Sequence, residues 1–461
     1  MRNKSLITAA FAALLFVGAG CGIAGSTVQI KPVTLEYWRT DDDPTAFQPI
    51  IEAYQKIHPN ITINYTRLRP DEYERKLLEA LAENRGPDLF SIPSVWLSGW
   101  QERILPLPKE TVIPTRTVNA QKQIVTIKQK NPTMTILAAR NAFVEGVTRD
   151  IIMPYQPDPA KPAENKIFGL PFSFDTLAMY YNKDLLKKAN IEKPPATWKD
   201  VQDQSQKLTI LDKDNIAIKQ TGAALGGAKN ILYNVDILTA IMVQNGAIMA
   251  DDGGYAYFNV PTPATSDHLY PPGAEALMFY QGFANQGTST YAWNQDMPIS
   301  LDAFVSGKAA FFFGYPTDMI KIRDRAPKLD FGIAPIPQID PGQPKNVPNY
   351  PIEVVSKKTK HADEAWDFLQ FAAGADQISG WLSAVKRPTA LRGLIQPLLT
   401  DPDLAPFAGQ VLTASSWYRG KDYSKVQDAF NTMILARPTI ERPDFQTFVS
   451  EAAAAVNDTF R

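Results

Sequence analysis

Between residues 33 and 92 the hydrophobic pattern changes period four times, and few folds accommodate that. Residues 33–38 are rich in β-branched and aromatic side chains and read as a strand. Phe47, Ile50, Ile51, Tyr54 and Ile57 then recur at helical spacing. Pro44 suits the first turn of that helix, with an Asp of 41–43 as its cap. His58-Pro59-Asn60 stops it, and 61–65 alternate as a second strand. A second helix opens at Asp71 with Tyr73, Leu77, Leu78 and Leu81 on one face, and closes near Asn84. Gly86-Pro87-Asp88 punctuates, and 89–92 form a third strand. Strands alternating with amphipathic helices imply a parallel sheet covered on both faces.

The later chain keeps this character. Residues 167–172 and 177–182 are strand-like, a helix begins at Asp184, and Thr197 is placed to cap another. Residues 302–314 read as helix, turn and buried strand; 331–337 as a short strand broken by prolines; 362–373 as an amphipathic helix. Residues 109–165 are treated as an elaboration of the first lobe, helical over 134–147 and looped over 156–165. The 37 prolines fall between periodic segments, as expected of short loops.

With one cysteine, Cys21, the chain can form no internal disulfide. Arg2 and Lys4, an apolar run over 6–17 and Gly18-Ala19-Gly20 precede it, the layout of an export signal. The run is short of the roughly 20 residues needed to span a bilayer. The arrangement resembles a bacterial lipoprotein signal, which implies lipidation of Cys21 and a membrane anchor; a cut after Ala19 is the alternative. His58, His268 and His361 are too scattered for a zinc site. Nucleophile-elbow, phosphate-loop and dinucleotide motifs are absent. A net charge of −1 implies no general attraction to nucleic acid.

Five segments in order carry a family resemblance: 167–175 running into Tyr180-Tyr181-Asn182-Lys183-Asp184, then Pro194-Pro195-Ala196-Thr197-Trp198, then 304–310, 331–337 and 365–369. Together they resemble family 1 extracellular solute-binding proteins, the sugar-binding receptors of ABC importers. The resemblance implies an α/β fold of two lobes joined by crossing strands, a periplasmic-binding-protein (Venus-flytrap) architecture. It divides the chain into a signal (1–21), a tether (22–32), lobe 1 (33–174 plus 336–375) and lobe 2 (175–335 plus 376–461). It further implies a non-enzymatic, monomeric, extracytoplasmic receptor that needs no cofactor or metal. Such a receptor captures a carbohydrate in the interlobe cleft and delivers it to an ABC permease, with a lipid anchor on Cys21. A secreted glycoside hydrolase, or a binding protein for a non-sugar solute, stays open as an alternative.

Neutral sugars present hydroxyls and flat C–H faces, so a site for them needs carboxylates, amides, Arg and aromatic rings. Trp38 and Asp41 follow the first strand, and Ser94 and Trp96 follow the third, where α/β sheets bind ligands. Asp175 sits at the first lobe crossing the resemblance implies. Gly314 allows close backbone approach beside Tyr315. Trp293 and Trp417 lie in polar loops, and Tyr350 (with Asn349) precedes a strand at 352–356. These ten residues are the candidate ligand contacts. Trp100, Trp198 and Trp366 are assigned to the core, and Lys386-Arg387-Pro388 to a solvated basic turn.

Overall fold

The first three strands and two helices form where the hydrophobic period places them. The computed structural model describes residues 31–460 except 41–42, 119, 123, 215–216, 252–253, 266–267 and 440–443, and the side chains of 116, 117, 124 and 264 are not described. The candidates Cys21 and Asp41 therefore lie outside the described residues. Strand β1 (Val33–Arg39) is followed by helix α1 (Pro44–Ile57), β2 (Ile61–Arg67), α2 (Pro70–Ala82) and β3 (Leu89–Pro93). Asp43 caps α1, accepting from the Thr45 amide at 2.8 Å, with Pro44 in the first turn. Strands β2 and β3 flank β1 and run parallel to it, Val33 opposite Ile61 and Tyr37 opposite Leu89.

β4 (Ile104–Leu105) precedes the segment assigned above to an elaboration. That segment contains a ribbon not foreseen from the pattern: β5 (Glu110–Val118) and β6 (Ile124–Pro132), nine residues each, pair antiparallel. Two short helices (Ile136–Ala142 and Glu145–Ile151) and the pair β7 (Ile152–Tyr155) and β8 (Glu164–Ile167) complete it. β9 (Ala178–Asn182), β10 (Ile210–Leu211), β11 (Ile218–Ala223), β12 (Ala309–Gly314) and β13 (Phe331–Pro335) form a second sheet, ordered β10-β11-β12-β9-β13. β14 (Pro351–Ser356) returns to the first, ordered β2-β1-β3-β14-β4. Each sheet anchors its own hydrophobic core. The two lobes are thus discontinuous in sequence.

Core membership moves two boundaries. Ile336 and Val347 pack with lobe 2, whereas Tyr350 packs with lobe 1, so the second crossing falls near 348–349 rather than at 336. Lobe 1 does not end at 375 either. Ile378, Trp381, Leu382 and Val385 of the helix Ala375–Val385, with Ala390 and Ile395, are buried in its core. Their apolar residues recur at helical spacing and cover the face of α1. Trp198 and Trp366 are core residues, 3% and 0% exposed. Thr197 caps its helix through a capping box with Asp200.

The lobe 1 core encloses charge. Glu353, fully buried on β14, meets the Arg39 guanidinium at 3.2 Å and accepts from the Tyr37 hydroxyl at 2.5 Å. Arg39 also lies over the Trp381 ring, 5.0 Å from its centroid. Burial and the adjacent Glu353 carboxylate hold the Tyr37 hydroxyl far above its ordinary pKa.

Candidate functional site

Parallel strands end on one edge of each sheet, and those edges face each other. In lobe 1, β1 ends at Arg39 and β3 at Pro93. In lobe 2, β12 ends at Gly314, opposite Ala178 of β9, which in turn faces Pro335 of β13. The ends of β9, β12 and β13 therefore lie together beside Tyr315. Between the edges lies a cavity of about 360 Å³, lined by Thr40, Tyr73, Ser91, Trp96, Tyr350 and Pro351 on one side and by Tyr233, Tyr315, Thr317 and Lys321 on the other. Asp175, Asn349 and Arg387, from the lobe junction, close its floor.

The floor is built around a buried ion pair. The Arg387 guanidinium donates to Asp175 through Nε, at 3.0 and 3.3 Å, and through a short Nη2 contact. Each residue is 2% exposed. The sequence reading assigned Arg387 to a solvated turn; the structure corrects this. The helix Ala375–Val385 ends at Lys386 in the left-handed region, φ 52°. The chain reverses there: Lys386 bonds Asp401 at 2.9 Å in the outer layer, and Arg387 enters the junction. Lys321, half-exposed on the wall, is held at 3.0 Å by buried Asp318. Charge within the cavity is thus matched pair by pair.

A second polar group lies behind the lobe 2 wall. Asp236 accepts from the Tyr315 hydroxyl at 2.9 Å, the Asn349 amide at 3.2 Å and the Tyr423 hydroxyl at 3.4 Å. Burial raises its carboxyl above the usual range, against those three hydrogen bonds. A group with a raised folded pKa stabilises the fold fully below the ordinary carboxylate pKa of about 4. That contribution is lost as pH rises through the raised value. The melting temperature of the parent relative to Asp236→Asn is therefore expected to fall as pH rises from about 4 to 7. Scanning calorimetry of both proteins measures it; a constant difference would contradict the assignment.

A third group pins the lobes together. Asp150 of lobe 1, 3% exposed, accepts from Tyr350 at 2.6 Å, Ser416 at 2.7 Å and Arg419 at 2.5 Å. Nearby, Gly99 approaches lobe 2 so closely that a Cβ there would stand 2.4 Å from the Lys421 carbonyl oxygen. Beside this contact a second cavity of about 340 Å³ is lined by Glu74, Trp96, Trp100, Arg103, Asp422 and Tyr423, among others. Trp96 borders both cavities and stacks on Trp100, 5.7 Å between centroids and 10° between planes.

Of the ten candidate contacts, Trp96, Asp175, Tyr315 and Tyr350 line the cavity. Five do not. Trp38 lies half-buried against the lobe 1 core, on the face of β1 opposite Tyr37, and only its carbonyl oxygen reaches Tyr73, at 3.2 Å. Ser94 is buried, its amide bonded to the Tyr350 carbonyl. Trp293 is fully buried in lobe 2: the amides of Ala292 and Trp293 both bond the Phe283 carbonyl, folding the loop inward, and the indole donates to Asn230 at 3.1 Å. Trp417 packs on Phe258 and Phe430. Gly314 is buried; a Cβ there would stand 2.7 Å from the Asp318 carboxylate that accepts the Tyr315 amide. Tyr73, Tyr233, Thr317, Lys321 and Arg387 were not foreseen as contacts. Tyr73 had been counted only as an apolar helix position, and no local motif marks the others.

The model of the bacterial extracellular solute-binding protein family matches residues 37–378. A binding protein of Brucella abortus is 24% identical over 330 residues, 70% of this chain and 67% of that protein. The maltodextrin-binding protein MdxE of Bacillus subtilis is 30% identical over 219 residues, 46% of each. Among solved structures, the cyclic alpha-maltosyl-1,6-maltose binding protein of Arthrobacter globiformis superposes with a TM-score of 0.67 at 19% identity, covering 93% of this chain and 99% of that one. At that identity the likeness concerns the fold.

Proposed function

Since the chain belongs to the bacterial extracellular solute-binding protein family, we propose that it is the receptor of an ABC importer that captures a carbohydrate between its lobes. The observation that carries this reading is the composition of the interlobe cavity. Trp96, Tyr233 and Tyr315 supply aromatic faces, Thr40, Thr317 and Asn349 supply neutral hydrogen-bonding groups, and the charged residues are already paired. Such a wall suits a neutral polyhydroxylated guest better than a free cation or anion. The sugars named for MdxE and the Arthrobacter protein accord with this class. The second cavity across Trp96 favours a ligand of several units.

Energetics make the two-sided wall necessary. A micromolar ligand releases about 8 kcal/mol on binding. Shifting an open to closed ratio from 1:99 to 99:1 takes roughly 5.5 kcal/mol of preference for the closed form. A guest touching one lobe alone binds open and closed states alike and shifts nothing. Delivery to a permease, residence outside the membrane as a monomer, and a lipid anchor on Cys21 belong to the same proposal. The resemblance of the N-terminus to a lipoprotein signal supports the last of these.

Scanning calorimetry against a panel of mono- and oligosaccharides tests it. At a hundredfold excess over Kd a true ligand adds about 2.7 kcal/mol to stability. One class of sugar should therefore raise the melting temperature by a clear margin, and small-angle scattering should report compaction with the same sugar. A panel without any shift, or catalytic release of products from an oligosaccharide, would overturn the reading.

A further inference from the structure

We propose that the β5–β6 ribbon is a contact for an anionic lipid surface. Between residues 111 and 144 the chain carries Arg116, Lys122, Lys128, Lys130 and Arg140 and no Asp or Glu, while its overall net charge is −1. Such a run of basic residues without an acid, over the ribbon and the helix that follows it, is an electrostatic footprint. Lys109, Lys122, Lys128 and Lys130 are exposed, and Glu110, which bonds Lys130 at 2.6 Å, is the one acid on the strands. Lys128 and Lys130, two apart on β6, share a face. Exposed aliphatic side chains lie on the same ribbon: Val118, 63% exposed, on the face of Lys128 and Lys130, and Ile127, 43% exposed, on the opposite face. Lysines flanking exposed aliphatic residues suit the boundary between headgroups and acyl chains.

The position of the ribbon selects this partner. Its base is tied to lobe 1 through Asp363, which accepts the Val112 amide at 3.2 Å, and Asp367, reached by Thr111 and Asn131 at 3.5 Å. Asp367 also holds Tyr54 at 2.9 Å and His58 at 3.5 Å, at the end of α1. That turn is where β1 starts: the Val33 amide donates to Asn60 at 2.8 Å. The ribbon and the start of the folded chain thus share the end of lobe 1 opposite the cleft, about 20 Å away along the seven residues of β1. A chain held to a membrane ahead of Val33 presents this end to it. In that pose the cleft faces away from the bilayer, so the contact belongs to a resting state that releases before the cleft is presented to a permease.

The tether ahead of Val33 is the anchor proposed above, whereas the test leaves Cys21 out, so that its outcome is separate from lipidation. A chain beginning at Lys31 retains both cores, that of lobe 1 starting at Val33 and that of lobe 2 at Leu177. It is sedimented with phosphatidylcholine vesicles with and without phosphatidylglycerol, at low and high salt. Binding to the anionic vesicles alone, weakened by salt, is expected. Each basic residue near such a surface contributes roughly fivefold in partition, so Lys122→Gln/Lys128→Gln/Lys130→Gln should lose about a hundredfold. The corresponding triple Arg variant should bind like the parent, and all three proteins should share one melting temperature. Equal partition onto neutral and anionic vesicles, no binding to either, or an undiminished triple Gln variant would overturn the proposal.

Discussion

Arg387→Ala should lower the unfolding free energy by about 3–5 kcal/mol, the cost of breaking a buried ion pair from one side. Asp175 would be left 2% exposed without the guanidinium that donates to it through Nε and Nη2. Arg387→Lys should recover only part of the loss, since an ammonium cannot reproduce the planar fork. Asp175→Ala should cost a similar amount, and the double variant distinctly less than the sum, because the second substitution removes the group stranded by the first. Urea titration of the four proteins measures this. Strict additivity would mean that the pair is not the unit holding the floor. Both side chains line the cavity, so ligand affinity should fall with each single variant.

Asp150→Ala should cost roughly 2–4 kcal/mol, below the full value for a buried pair because the Arg419 side chain is 33% exposed. Asp150 joins Tyr350 of the lobe 1 core to Ser416 and Arg419, which lead into lobe 2. Removing it strands the Tyr350 hydroxyl, which burial and the Asp150 charge hold far above its ordinary pKa. Asp150→Asn keeps one oxygen that accepts from both Tyr350 and Ser416 and gives up the charge and acceptor facing Arg419, so it should cost less. The effect should extend beyond stability: scattering of Asp150→Ala without ligand should show a larger radius of gyration than the parent. An unchanged radius would place the pin inside one lobe rather than between two.

Local pattern made the architecture readable. The alternation at 61–65, the helical spacing of Phe47, Ile50, Ile51 and Tyr54, and the Thr197 cap all appear where local rules put them, because each depends on neighbours within a turn or two. The ribbon at 110–132 was missed although Thr, Val and Ile are frequent in it, because Pro114 interrupts the first strand and Lys128-Gln129-Lys130 the second, leaving no apolar alternation. The helix Ala375–Val385 looks the same on either lobe, as amphipathicity says that a face is buried and not against what.

Four of the ten candidate residues line the cavity, three of them for one physical reason. Position at the end of a strand places a residue near the cleft, which located Trp96, Tyr315 and Tyr350. Loop polarity misled for Trp293 and Trp417: a loop can fold its indole inward when backbone hydrogen bonds and a partner such as Asn230 satisfy it. The pairing of Asp175 with Arg387, 212 residues apart, leaves no trace in either neighbourhood.

By itself, then, the order of residues determined the alternating elements, written in short-range periodicity, and the family pattern. Tertiary structure alone decided which side chains converge. Asp236 meets Tyr315, Asn349 and Tyr423 across 79, 113 and 187 residues, and Asp150 reaches Arg419 across 269. Burial against distant partners, rather than local propensity, sets which polar group faces a ligand and which is satisfied within the fold.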